Sequence, residues 1–190
     1  MDINLSWDLF VVVFFVIIMA YSFIIGRDNT LKVILGTYVA ALASDAVGNL
    51  FGKYFAGSEI FARLMKMATI GNEAEAIIFV KVMIFVTLVI LFAVRGAFIV
   101  ETDDDGSPLI RMLMTIVYAV MSAGLIISTI LAFVSGISFI GGGSPETVST
   151  ALWPIYNSSQ LIRAMVENTY LWFALPGLAF LVHSLYTRKE

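Results

Sequence analysis

Five stretches of roughly membrane-crossing length carry almost no charge, which limits what this chain can fold into more than any other property. A helix that crosses a 30 Å hydrocarbon layer needs about 20 apolar residues. Leu9–Gly26 offers 18 residues without an acidic or basic side chain, and Met112–Val134 offers 23. Leu31–Phe51 is interrupted by Lys32 and Asp45, and Ala76–Val94 by Lys81 alone. Asn168–Thr187 contains His183 and a central Pro176-Gly177. Tyr170 and Trp172 at one end of that run and Tyr186 at the other match the aromatic belts of membrane interfaces. Proline is tolerated in such a helix as a kink. The pattern predicts an all-α, polytopic membrane bundle, a single domain over 1–190, with five spans near 9–26, 31–51, 76–94, 112–136 and 168–187.

Composition points the same way. The chain is 60% hydrophobic and 13% charged, against about 25% charged in soluble domains, and its mean hydropathy is +0.96. A net charge of −3 with no basic stripe argues against a nucleic-acid partner. The absence of cysteine removes disulfides, thiolate metal sites and cysteine nucleophiles. Asp2 and Asp8, with no Lys or Arg before the first apolar run, lack the positive start of a removable leader. The first run is therefore expected to be retained as a span.

Two connections carry structure of their own. Over 59–70, Ile60, Phe61, Leu64, Met65 and Ala68 fall on one helical face and Glu59, Arg63 and Lys66 on the other, which suits a helix lying at the interface. After the fourth span, Gly141-Gly142-Gly143 breaks the helix, and Ser144 and Pro145 open another. Trp153-Pro154 interrupts that segment, Asn157 with Gln160 forms a second cap, and an interfacial helix is expected over about 145–167. With five spans, Arg27, Lys32, Arg95, Arg111, Arg188 and Lys189 share one side, while Lys53, Arg63, Lys66 and Arg163 share the other. The positive-inside rule then places the N-terminus outside and the C-terminus in the cytoplasm.

The second span holds the chain's most informative residues. Gly36, Ala40, Ser44, Gly48 and Gly52 recur every fourth position, so small side chains stack on one helix face. Gly124, Ser128, Ala132 and Gly136 repeat the device in the fourth span. Such ridges let membrane helices approach closely, either within one chain or between copies. Beside the first ridge lie Asp45 and Asn49. At the helical rise, Asp45 is about 9 Å from the end of its span and Lys81 about 7.5 Å inside the next, so antiparallel neighbours bring them to similar depth. One reading is a structural ion pair, or a lysine that snorkels outward while Asp45 bonds Asn49 or Ser44. The other is an ion or proton path built on Asp45, Asn49 and Lys81.

Catalytic and metal signals are weak. Glu101-Thr102-Asp103-Asp104-Asp105-Gly106 spaces its acids like a calcium loop, but Met112 stands where a bidentate glutamate is required. Gly141-Gly142-Gly143-Ser144 lacks a phosphate-binding lysine. His183, the only histidine, has no Cys, Asp or Glu within a helical turn. No nucleophile–base pair is evident, so neither an enzyme, a cofactor nor a metal is expected.

Asp8 ahead of the first span, the turn at Gly26-Arg27, the Leu31–Gly36 start of a small-rich second span, and Arg111 leading into a small-rich fourth span together resemble the colicin V production protein family. The resemblance covers roughly 8–134, and Thr115 and Ala119 stand where that family has glycines. It implies a small integral protein of the bacterial inner membrane, associated with toxin production and envelope robustness, with no catalytic residues. The expected function is a non-enzymatic membrane factor that supports toxin production, export or envelope assembly through contacts with the bilayer, other membrane proteins or its own copies. The alternative is an ion- or proton-conducting channel or transporter subunit using Asp45 and Lys81.

Overall fold

The computed structural model describes residues 7–68, 73–95, 107–140, 156 and 159–186. The expectations for Glu101–Gly106, Gly141–Gly143, Ser144, Pro145, Trp153, Pro154 and Asn157 lie outside the described residues, as do 69–70, Thr187 and the side chain of His183. Every regular element among the described residues is an α-helix: α1 Trp7–Phe55, α2 Glu59–Ala68, α3 Glu73–Arg95, α4 Pro108–Val134, α5 Gln160–Glu167 and α6 Thr169–Tyr186. A helix satisfies its own backbone polar groups, which is what a segment surrounded by lipid requires. α1, α3 and α4 are long and apolar enough to cross a membrane, and α5 with α6, bent by 57° at their junction, form a fourth candidate.

α1 is one element of 49 residues broken at Gly26, where φ is 80° and ψ is 174°. Only glycine adopts that region without strain. The packing on either side shows what the break does. Before it, Val11 lies against Ile127 and Val134, while Tyr21 lies near Ser122 and Ile126. After it, Leu31 and Ile34 pack with Tyr118 and Leu125, and Asp45 reaches Ser138. The first arm therefore runs against α4 and the second arm runs along it, so the chain reverses at Gly26. Thr30 fastens the turn, its hydroxyl donating to the carbonyls of Ser22 at 3.1 Å and Gly26 at 2.8 Å. Between the expected spans 9–26 and 31–51, the connection is a single glycine, because Gly26 alone departs from helical φ and ψ.

α3 lies antiparallel to the second arm, with Gly36 facing Phe92, Gly48 facing Lys81 and Gly52 facing Ile77. α6 packs on α4, where Trp172 covers Gly124. Buried Phe85 and Phe133 meet edge to face at 5.9 Å in the centre of the bundle.

Three expectations are corrected. The fourth helix ends at Val134, short of 136, because Gly136 takes a positive φ of 85°. Its N–H bonds the Phe133 carbonyl and the Ile137 N–H bonds the Ala132 carbonyl, both at 2.9 Å. That pairing is the Schellman termination, so Gly136 stops the helix and does not belong to its packing ridge. The cap before the last helices is Ser159, whose hydroxyl accepts the Ile162 N–H at 3.0 Å, and Gln160 is already helical. Of the expected interfacial helix over 145–167, α5 is the described part, while 145–155 and 157–158 lie outside the described residues. α2 has Phe61 buried and Glu59, Arg63 and Lys66 exposed.

A Cβ at Gly26 would meet nothing within 4 Å, so strain alone resists substitution there. Gly26→Ala should destabilise the protein by about 1–3 kcal/mol, seen as a lowered midpoint in thermal unfolding in detergent. An unchanged midpoint would show that the reversal tolerates a side chain.

Candidate functional site: a closed ion pair inside the bundle

Asp45 on the second arm of α1 meets Lys81 of α3 at 2.6 Å. Asp45 is 0% exposed and Lys81 is 6% exposed. The small-residue ridge explains how so long a side chain fits. Gly48 stands one turn beyond Asp45, and a Cβ there would lie 2.2 Å from Lys81 Cγ. The missing side chain thus leaves a groove for the lysine stem, which delivers its ammonium to the carboxylate and to within 6.0 Å of the Phe133 ring centre.

The second half of the site comes from the turn after α4. Past Gly136 the chain folds back, with Phe139 against the rings of Phe133 at 5.4 Å and Phe173 at 4.9 Å. Ser138 then donates to the Asp45 carboxylate, 2.9 Å from Oδ2 and 3.2 Å from Oδ1. The Ile140 N–H donates to Oδ2 at 2.8 Å. Asn49 Nδ2 donates to Ser138 Oγ at 3.1 Å. Non-helical backbone is tolerated at depth where it is enclosed by protein, and this turn is held by the very charge it helps to satisfy.

Of the residues singled out in the sequence, Asp45 and Lys81 meet directly, and Asn49 reaches them only through Ser138. Ser44 takes no part, its hydroxyl donating to the Ala41 carbonyl of its own helix at 3.1 Å. Ser138 and Ile140 escape sequence reasoning, since a serine and a backbone N–H carry no distinguishing pattern; Gly136 is the one signal that a turn is near. The ridges pack within the chain. Gly36 lies 2.6 Å from Phe92 Cβ, Gly52 2.6 Å from Ile77 Cδ1 and Gly124 2.0 Å from the Trp172 ring, each measured from an added Cβ. Ala40, Ser44, Ser128 and Ala132 are fully buried.

A second junction lies at Pro176. Proline has no N–H to give the preceding turn. Tyr38 fills the opening, its hydroxyl donating to the Phe173 carbonyl and accepting the Gly177 N–H. At the start of α5, Ser159 donates to the Asp8 carboxylate and so ties the helix to the beginning of α1. Beside it, the Tyr156 hydroxyl donates to Glu167 at 2.8 Å, and that carboxylate raises the Tyr156 pKa above its ordinary value.

Cavities lined by described residues include the following two. One, of about 450 Å³, is an apolar groove between the first arm, α3 and α4, lined by Phe14, Ile17, Phe85, Ile90 and Ile126 among others. The other, of about 510 Å³, lies at the α5–α6 corner. Asp45, Asn49 and Lys81 line neither. Among the described residues no group of three His, Cys, Asp or Glu side chains could hold a metal ion.

Removing one partner of a buried pair strands the other charge, at about 3–5 kcal/mol. Asp45→Asn and Lys81→Met should each cost that much in denaturant unfolding in micelles, whereas Asp45→Leu with Lys81→Met should lose far less than the sum. Additive losses would mean that the two charges are not coupled. Gly48→Ala should be damaging alone and nearly silent beside Lys81→Ala, measured the same way, because its harm is the displaced lysine stem. No family model, curated protein or solved structure matches the chain.

Proposed function

We propose that the chain is a non-enzymatic, multi-pass membrane factor of the colicin V production type, supporting toxin production, export or envelope assembly through protein contacts within the bilayer. The observation that carries this reading is the state of Asp45, which is fully buried and already bound by Lys81, Ser138 and the Ile140 N–H. A carboxylate that moves ions or protons has to be reached by them, and this one is 0% exposed with its oxygens already occupied. Its charge is spent on fastening α1, α3 and the turn after α4 to one another.

In this reading the bundle has five crossings: the two arms of α1, then α3, α4, and α5 with α6. The reversal at Gly26 supports counting α1 twice. The N-terminus then lies outside and the C-terminus in the cytoplasm, with Arg27, Lys32, Arg95 and Arg111 on the cytoplasmic face. The partners are the bilayer and other membrane proteins, or further copies of the chain.

A second reading, an ion- or proton-conducting subunit using Asp45 and Lys81, draws support from the Pro176 break, because interrupted helices mark many transport sites. Proteoliposome flux separates the two. The first reading expects no proton or potassium flux above empty vesicles, and a flux abolished by Asp45→Asn would replace it with the second. Topology is open to single-cysteine labelling without background, since the chain has no cysteine. Asn29→Cys should react only after the cells are permeabilised and Tyr54→Cys in intact cells; reaction of both under the same condition would reject the five-crossing arrangement.

A further inference from the structure

We propose that the corner between α5 and α6 binds an organic ammonium group, held by the Glu167 carboxylate and the aromatic side chains around it. The inference rests on this corner alone and does not depend on how often the chain crosses the bilayer. The cavity there, about 510 Å³, is within the usual range of small-molecule sites. Phe139, Tyr156, Tyr170 and Phe173 bring four aromatic side chains to its lining, and Glu167 is the one charged residue among the described residues that line it.

Two of these residues have capacity to spare. Glu167 Oε1 accepts the Tyr156 hydroxyl at 2.8 Å, whereas Oε2 has no partner among the described residues. Tyr170 is 66% exposed, and its side chain makes no hydrogen bond or ring contact among the described residues. The other rings are anchored, Phe173 against Phe139 at 4.9 Å and Tyr156 by its bond to Glu167. A half-used carboxylate and an unengaged ring therefore stand beside a fixed aromatic lining.

That lining selects the chemistry of the ligand. A hard metal ion needs several oxygen ligands, and among the described residues no group of three His, Cys, Asp or Glu side chains could supply them. A neutral apolar molecule would cover the carboxylate and leave it without a counter-charge, which is costly. An alkylated ammonium answers both demands, since its charge attracts the carboxylate and aromatic rings favour it as a neighbour. Arg163 acts from outside the cavity. Its guanidinium lies 5.4 Å from the Tyr156 ring centre and makes no ion pair with Glu167, so the carboxylate stays available. The same positive charge opposes an incoming cation, and removing it should tighten binding.

The test uses the full chain in an uncharged sugar detergent, with binding followed by saturation-transfer NMR. The probes are choline and dimethylbutanol, its carbon analogue of the same shape without the charge. Choline is expected to bind at least about tenfold more tightly than the alcohol, and Glu167→Gln to remove that preference, the loss of one charge-assisted contact. Tyr170→Leu should weaken choline about twofold to fivefold, Arg163→Gln should tighten it, and Lys66→Gln on α2 should leave it unchanged. Competition by phosphatidylcholine assigns the ammonium to a lipid headgroup and its failure assigns it to a soluble amine, and either result sustains the site. Equal binding of the two probes, binding of neither, or an undiminished preference in Glu167→Gln would each overturn the proposal. Capture of a lysine-rich peptide in preference to choline would overturn it too, by making the corner a protein-docking surface. The comparison of probes on the unmodified chain stands even where a variant fails to fold.

Discussion

A buried negative charge organises this bundle. Asp45 is enclosed on every side, and its donors come from two separate parts of the chain: Lys81 in α3, and Ser138 and Ile140 in the turn beyond the end of α4. In water such an arrangement would be weak evidence of stability, since two desolvated ions often cost as much as they return. Within a membrane the comparison differs. Apolar side chains gain little by leaving lipid for one another, so packing has to be set by close contact and by polar groups with nowhere else to go. The ion pair and the glycine groove are parts of one device, for Lys81 reaches Asp45 only because Gly48 leaves room for its stem.

The same logic recurs at the two other irregularities. Gly26 permits a reversal that Thr30 then closes with two hydrogen bonds. Pro176 opens a turn of α6 that Tyr38 closes from a different helix. In each case a backbone group released by an unusual residue finds a hydroxyl, as burial within the bundle demands. Helix ends follow suit, with Gly136 satisfying the last carbonyls of α4 and Ser159 the first N–H groups of α5.

Much of the architecture was legible in the chain. Long uncharged runs mark membrane-length helices because hydrocarbon thickness dictates their length, and the four-residue rhythm of Gly36 to Gly52 marks a face meant for close approach. Asp45 and Lys81 stand out for the cost of placing charge there. Ser138, Ile140 and Tyr38 do not stand out, because their roles arise from a turn and a kink that bring distant segments together, and a hydroxyl or an amide looks the same wherever it lies. Gly136 misled for a related reason: it fits a spacing of four, yet its left-handed backbone ends the helix first. The corner cavity beside Glu167 is likewise invisible until the 57° bend gathers Tyr170 and Phe173 against Phe139.

The long separation of Asp45 from its last donor bears on how the protein is made. Ile140 follows Lys81 by roughly 60 residues, and ribosomes add about 5–20 residues per second. For some seconds the nascent chain holds an aspartate with its lysine but without Ser138 or the closing amide. The turn after α4 therefore completes the surroundings of Asp45 last, after both residues of the ion pair have been made.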